Sequence, residues 1–89
     1  MNIYAKTDDV ILQEIGERIK ETRISKKLSQ KELAEAAGVQ RVLVSRIENG
    51  SNFNLATLIK LLRALSKLED LDKILDVEKD IELLKLFEE

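Results

Sequence analysis

The sequence predicts an all-α fold of five short helices with a C-terminal helical extension. Three observations lead there. The 89 residues contain no proline and only three glycines. Apolar residues recur mostly at three- and four-residue spacing rather than in alternation, and helix start and stop signals divide the chain at short intervals. A chain of this length supports one small domain with a single core. We expect residues 8–76 to form that core and residues 77–89 an amphipathic extension. With 44% hydrophobic and 36% charged residues, the composition is that of a globular chain rather than a disordered one.

The head "MNIYA" is apolar at Ile3 and Tyr4 and either packs on the body or frays. The first helix opens near Thr7, Asp8 or Asp9, all good N-caps, and carries acidic side chains in its first turn. Val10, Ile11, Ile15, Ile19 and Arg23 follow one face to about Lys26. Gly16 inside this helix costs about 1 kcal/mol relative to alanine, which points to close helix packing there. The second helix is announced by "SQKE", Ser29 to Glu32, a capping box in which serine and glutamate satisfy each other's free amides. It ends at Ala37, with Gly38 free to turn left-handed.

A third helix runs from about Gln40 to Glu48, stopped by Asn49-Gly50. Asn54 caps a fourth, "LATLIKLLRAL", with Phe53 expected to pack back on Leu58. The expected buried side of this helix is Leu55, Leu58, Ile59, Leu62 and Leu65. Whether Ser66-Lys67 ends it cleanly is open, because the usual glycine is missing. "KLEDLDKIL" reads as a short fifth helix using Leu68, Leu71, Ile74 and Leu75. The extension "VEKDIELLKLFEE" keeps helical spacing at Val77, Ile81, Leu84 and Phe87.

Composition removes several classes of function. Without cysteine there is no disulfide framework and no thiolate metal site. Without histidine the commonest metal ligand and the commonest general base are both missing. No metal or other cofactor is expected. The carboxylates are scattered over polar faces and no glycine-rich phosphate loop occurs, so an enzyme is not expected. No apolar run is long enough to span a bilayer and no signal-peptide pattern opens the chain, so a cytoplasmic location is expected.

The net charge of -2 hides an asymmetry. Residues 1–17 carry -3, residues 18–46 carry +5 and residues 47–89 carry -4. The cationic block coincides with the second helix and most of the third. Local charge governs contact with phosphate within a Debye length, so the acidic remainder does not prevent it.

Within residues 30–49 the apolar set is Leu33, Ala34, Ala37, Val39, Val44 and Ile47. Two helices crossing steeply around a three-residue turn need this set, with a small residue at the crossing and glycine in the turn. The stretch "SQKELAEAAGV" together with "SRIENG" resembles the helix-turn-helix of the phage repressor and Cro family, over about residues 15–65. The resemblance implies a five-helix domain whose third helix enters the major groove of double-stranded DNA while the second crosses the backbone. It also implies base contacts from Gln40, Arg41, Val42, Ser45 and Arg46. Phosphate contacts would come from Ser29, Gln30, Lys31, Asn49, Ser51 and Asn52. Helical spacing agrees for two pairs, since Arg41 and Ser45, and Val42 and Arg46, share a face.

Arginine suits bidentate contact with guanine, and valine suits the thymine methyl. Leu43 has no such role. Gln40 departs from the serine or threonine usual at this position and is a weaker N-cap; either it is kept for a DNA contact or the site tolerates change. The family further implies an ion pair between Arg23 and Glu48. Lys20, Lys26 and Lys27, like Lys31, are either a solvated face or phosphate ligands.

One such domain reads few base pairs, so a homodimer on a two-fold operator is expected, most simply a repressor. The apolar surplus after Leu65 is the candidate dimer interface: Leu68, Leu71, Ile74, Leu75, Ile81 and Leu84. The alternative is that these residues complete the monomer core. Two other roles fit the same resemblance. One is an antitoxin that binds a toxin protein and represses its own operon; the other is a controller protein of a restriction–modification operon.

Overall fold

A computed structural model describes residues 2–75 of the chain. They form four α-helices and two 3-10 turns: α1 (Asp8–Ser25), α2 (Gln30–Ala37), α3 (Arg41–Glu48) and α4 (Leu55–Ala64), preceded by a 3-10 turn at Ile3–Ala5 and followed by one at Leu68–Lys73. The expected extension, residues 77–89, lies outside the described residues.

Local chemistry sets each boundary. The Asn2 side chain accepts from the Tyr4 N–H, and Lys6 Nζ reaches Glu14 at 2.9 Å, pinning the head to α1. Thr7 Oγ1 caps α1 by accepting from the Val10 N–H, with Asp8 and Asp9 in the first turn. The helix ends where Lys27 adopts φ 59 and the Leu28 N–H returns to the Arg23 carbonyl. The Ser29–Glu32 capping box is complete: Glu32 N–H donates to Ser29 Oγ at 3.0 Å and Ser29 N–H to Glu32 Oε1 at 2.9 Å. Gly38, at φ 72, terminates α2. Gln40 stands at the N-cap of α3 but makes no side-chain cap bond, as expected of glutamine there. Asn54 Oδ1 caps α4 through the Thr57 N–H at 2.8 Å.

The open question at Ser66 is resolved by the backbone. Ser66 takes φ 57 and the Lys67 N–H bonds back to the Leu62 carbonyl at 2.8 Å, so a serine does the work of the absent glycine. The fifth helix is 3-10 rather than α. No side chain caps it at Lys67, and six residues give it little hydrogen-bonded length to settle into α geometry.

α3 packs on both α1 and α2, α4 covers α2, and the second 3-10 turn leans on α4. The core is Ile19, Leu33, Ala34, Val44, Ile47, Leu61 and Leu65, with Ile15, Leu28, Ala37, Val39, Leu43, Phe53, Leu58 and Ala64 packed around it. Gly16 lies against the Ile47 carbonyl oxygen and the Glu48 backbone, so close that a Cβ would collide with main chain. The close packing expected there is α1 against the end of α3.

Two apolar faces differ from expectation. Leu61, absent from the expected buried side of α4, is fully buried, whereas Leu55 is 61% exposed. Leu55 occupies the first turn of α4, beyond the edge of the core. Leu58, Ile59 and Leu62 are half-buried. Val10, in the first turn of α1, is exposed for the same reason as Leu55.

Candidate nucleic-acid interface

α3 is held by one face and offered by the other. Val44 and Ile47 are fully buried beneath it, while Arg41, Val42 and Arg46 are exposed and Ser45 is half-buried. Val42 keeps 50% of its surface in water, an apolar spot between two arginines. Leu43, for which no surface role was apparent, packs against the core. The helix splits the adjacent apolar pair Val42-Leu43, one residue facing water and the other the core. Gln40, free of capping duty, is exposed at the leading end of the same ridge.

The ridge is fixed in angle by Glu48 at its far end. Arg23 Nε donates to Glu48 Oε2 at 2.7 Å and Arg23 Nη2 donates to Oε1 at 3.0 Å. A third guanidinium N–H, on Nη1, donates to the Leu28 carbonyl at 2.8 Å. Both residues are buried, and the hydrogen bonds and the charge of Glu48 raise the Arg23 pKa above its ordinary value despite desolvation. Among the described residues no buried side-chain polar atom lacks a partner. The expected ion pair is therefore present as a bidentate bridge from α1 to α3.

Sequence reading gave no sign of a third member. Gln30 Nε2 donates to Glu48 Oε1 at 3.1 Å, so the first residue of α2 joins the same carboxylate. The pairing spans 18 residues, and no local pattern announces it. An amide nitrogen has two N–H groups, so the bond to Glu48 orients the side chain and leaves a second N–H on Nε2.

The remaining expected phosphate residues lie around the ends of α2 and α3. Ser29 and Lys31 are exposed at the start of α2. Ser29 Oγ accepts the capping bond, which leaves its O–H free to donate. Asn49, Ser51 and Asn52 are exposed just past α3. Asn49 Nδ2 donates to the Ser45 carbonyl at 2.9 Å, and Asn52 Oδ1 accepts from the Phe53 N–H at 2.8 Å. Of the candidate dimer residues, Leu68 and Leu71 are half-buried and Ile74 and Leu75 exposed; Ile81 and Leu84 lie outside the described residues. No helix among the described residues is long and apolar enough to cross a membrane.

None of the curated proteins matches the chain. A helix-turn-helix family model matches residues 19–71, more than half of the sequence and all of α2, α3 and α4. With its capping box, left-handed Gly38 and anchored third helix, the chain belongs to the Cro/C1-type helix-turn-helix family of DNA-binding transcription regulators.

Proposed function

We propose that this regulator is a dimeric repressor that reads a two-fold symmetric operator by laying α3 in the major groove. The observation that supports this most directly is the division of α3 into a fully buried inner edge and an outer edge carrying Arg41, Val42 and Arg46. In this reading the two arginines bond guanine, Val42 meets a thymine methyl, and Gln40 and Ser45 take the flanking bases. Phosphates are held by Ser29, Gln30 and Lys31 on one side of the groove and by Asn49, Ser51 and Asn52 on the other. Arg23 and Glu48 touch no DNA. They hold α3 at its angle, which matters because a rigid reading head loses little entropy on docking.

The reading is tested by selecting bound fragments from a random duplex pool. The expected outcome is a motif of two inverted half-sites whose centres lie about 34 Å apart, one turn of the duplex. Recovery of fragments with no shared motif would overturn sequence-specific recognition.

A further inference from the structure

The chain has four asparagines, and only Asn49 is followed by glycine; Asn2, Asn52 and Asn54 precede Ile3, Phe53 and Leu55. A backbone nitrogen with no side chain beside it can attack the side-chain carbonyl of the preceding asparagine, whereas a bulky neighbour hinders that approach. Asn49 is also exposed, one residue past α3. We infer that Asn49 is a modification site, deamidating when the last turn of α3 opens, and that the product lowers affinity for DNA. Deamidation follows from local geometry alone, whereas the loss of affinity rests on the phosphate contact proposed above.

The reaction needs only water. The Gly50 nitrogen gives up its proton to solvent and bonds to the Asn49 side-chain carbonyl carbon. The bond from that carbon to Nδ2 breaks, and ammonia leaves with a proton from water. Water then opens the cyclic imide at either carbonyl, giving aspartate or isoaspartate. Ring closure requires the Gly50 nitrogen to swing over the Asn49 side chain. In the structure ψ of Asn49 is 8, which eclipses that nitrogen with the Asn49 backbone nitrogen instead. Two bonds hold this arrangement: Gly50 N–H donates to the Ile47 carbonyl at 3.0 Å, and Asn49 Nδ2 to the Ser45 carbonyl at 2.9 Å. Turning the peptide breaks the first and attack releases the second, so the folded turn shields the amide and local opening exposes it.

The glycine that makes Asn49 reactive is itself required by the fold. Gly50 takes φ 96, and a Cβ there would come within 2.7 Å of the Gln13 side chain. The reactive pair is thus a consequence of how α3 is stopped against α1. Its product suits neither the helix nor a phosphate. A carboxylate has no proton to give the Ser45 carbonyl, and its charge sits at the negative end of α3. Isoaspartate also lengthens the main chain between α3 and Ser51. Either product repels the phosphate that the amide would have held.

Deamidation is read by peptide mass mapping of the full chain held at mildly alkaline pH, folded and in denaturant. In denaturant Asn49 should convert faster than Asn2, Asn52 and Asn54; a rate no greater than theirs would overturn the site. In the folded chain conversion should slow by roughly tenfold or more, the factor that about 1.4 kcal/mol of local opening gives; equal rates would overturn the gate. The consequence is read separately, with Asn49→Asp and Asn49→Ala titrated on the duplex selected above. Asn49→Asp should remain helical, melt lower and lose more affinity than Asn49→Ala, which removes the amide without adding charge. Equal losses, or none, would overturn the effect on DNA. A native chain that selects no duplex would sink the phosphate reading, whereas the mass map would still uphold or refute the modification.

Discussion

The Arg23 guanidinium spans both carboxylate oxygens of Glu48, at 2.7 and 3.0 Å, and so joins the last turn of α1 to the last residue of α3. With side chains only 10% and 2% exposed, neither charge has water to fall back on. Removing one partner leaves the other buried and uncompensated, which costs about 3–5 kcal/mol. In a domain of this size about 1 kcal/mol shifts the melting temperature by roughly 4–8 °C. Arg23→Ala and Glu48→Ala should therefore each lower the melting temperature severely. The double change Arg23→Met with Glu48→Leu should recover most of the loss, because a well-packed apolar pair avoids the desolvation cost. Thermal melts of the three variants check this; equal destabilisation by the single and double changes would refute it.

Two glycines should respond to alanine for different reasons. At Gly38 a Cβ meets nothing within 4 Å, so the cost is that of φ 72 alone, about 1–2 kcal/mol. At Gly16 the new methyl would strike the Ile47 carbonyl and the Glu48 backbone, and main chain cannot step aside cheaply. Gly16→Ala should destabilise more than Gly38→Ala, even though alanine is the better helix former. It should also weaken DNA binding per folded molecule, because α3 must tilt to admit it. Denaturant titrations rank the pair, and the reverse order would refute the close approach.

The capping box makes one acid-sensitive contribution. Hydrogen bonds from the Ser29 backbone and then its side chain hold the Glu32 carboxyl below its ordinary value of 4.5. A lowered folded-state pKa means that the stabilisation is fully present above the unfolded value and is lost as pH falls through the folded one. The stability difference between the native chain and Glu32→Ala should thus be constant near neutrality and shrink below 4.5. Melting temperatures across that range test it, and a difference independent of pH would count against the carboxylate bond.

Much of this was legible in the residues. Start and stop chemistry is local, so Ser29 with Glu32, Gly38 and Asn54 marked helix ends, while for α1 the sequence left Thr7, Asp8 and Asp9 open and the structure selects Thr7. The ion pair of Arg23 with Glu48 was implied only through family resemblance, and Gln30 joining it was invisible, because a contact across 18 residues leaves no trace in spacing. Ser66 hid the end of α4 because serine seldom takes a left-handed turn. The exchange of Leu61 for Leu55 on the buried side of α4 has a geometric cause. Periodicity orders residues around a helix but does not say how far along its axis the core extends. Leu43 was left without a role for a related reason, since its burial depends on where α3 lies against its neighbours.

The exposed ridge of α3 makes opposite predictions for two kinds of cation. Arg41 and Arg46 flank Val42 and are exposed; in the proposed reading a bidentate bond from each to guanine would give about 1–3 kcal/mol of discrimination per pair. Arg41→Ala or Arg46→Ala should flatten preference at one position of each half-site and leave the others intact, with no change in helicity. Lys31, exposed at the start of α2, is expected at a phosphate instead. Lys31→Ala should weaken binding to all duplexes alike and reduce the slope of log affinity against log salt by about 1. Binding titrations at several salt concentrations, on the selected site and on single-base variants, separate the two. If Lys31→Ala altered base preference while both arginine variants kept it, α3 would not be the reading helix.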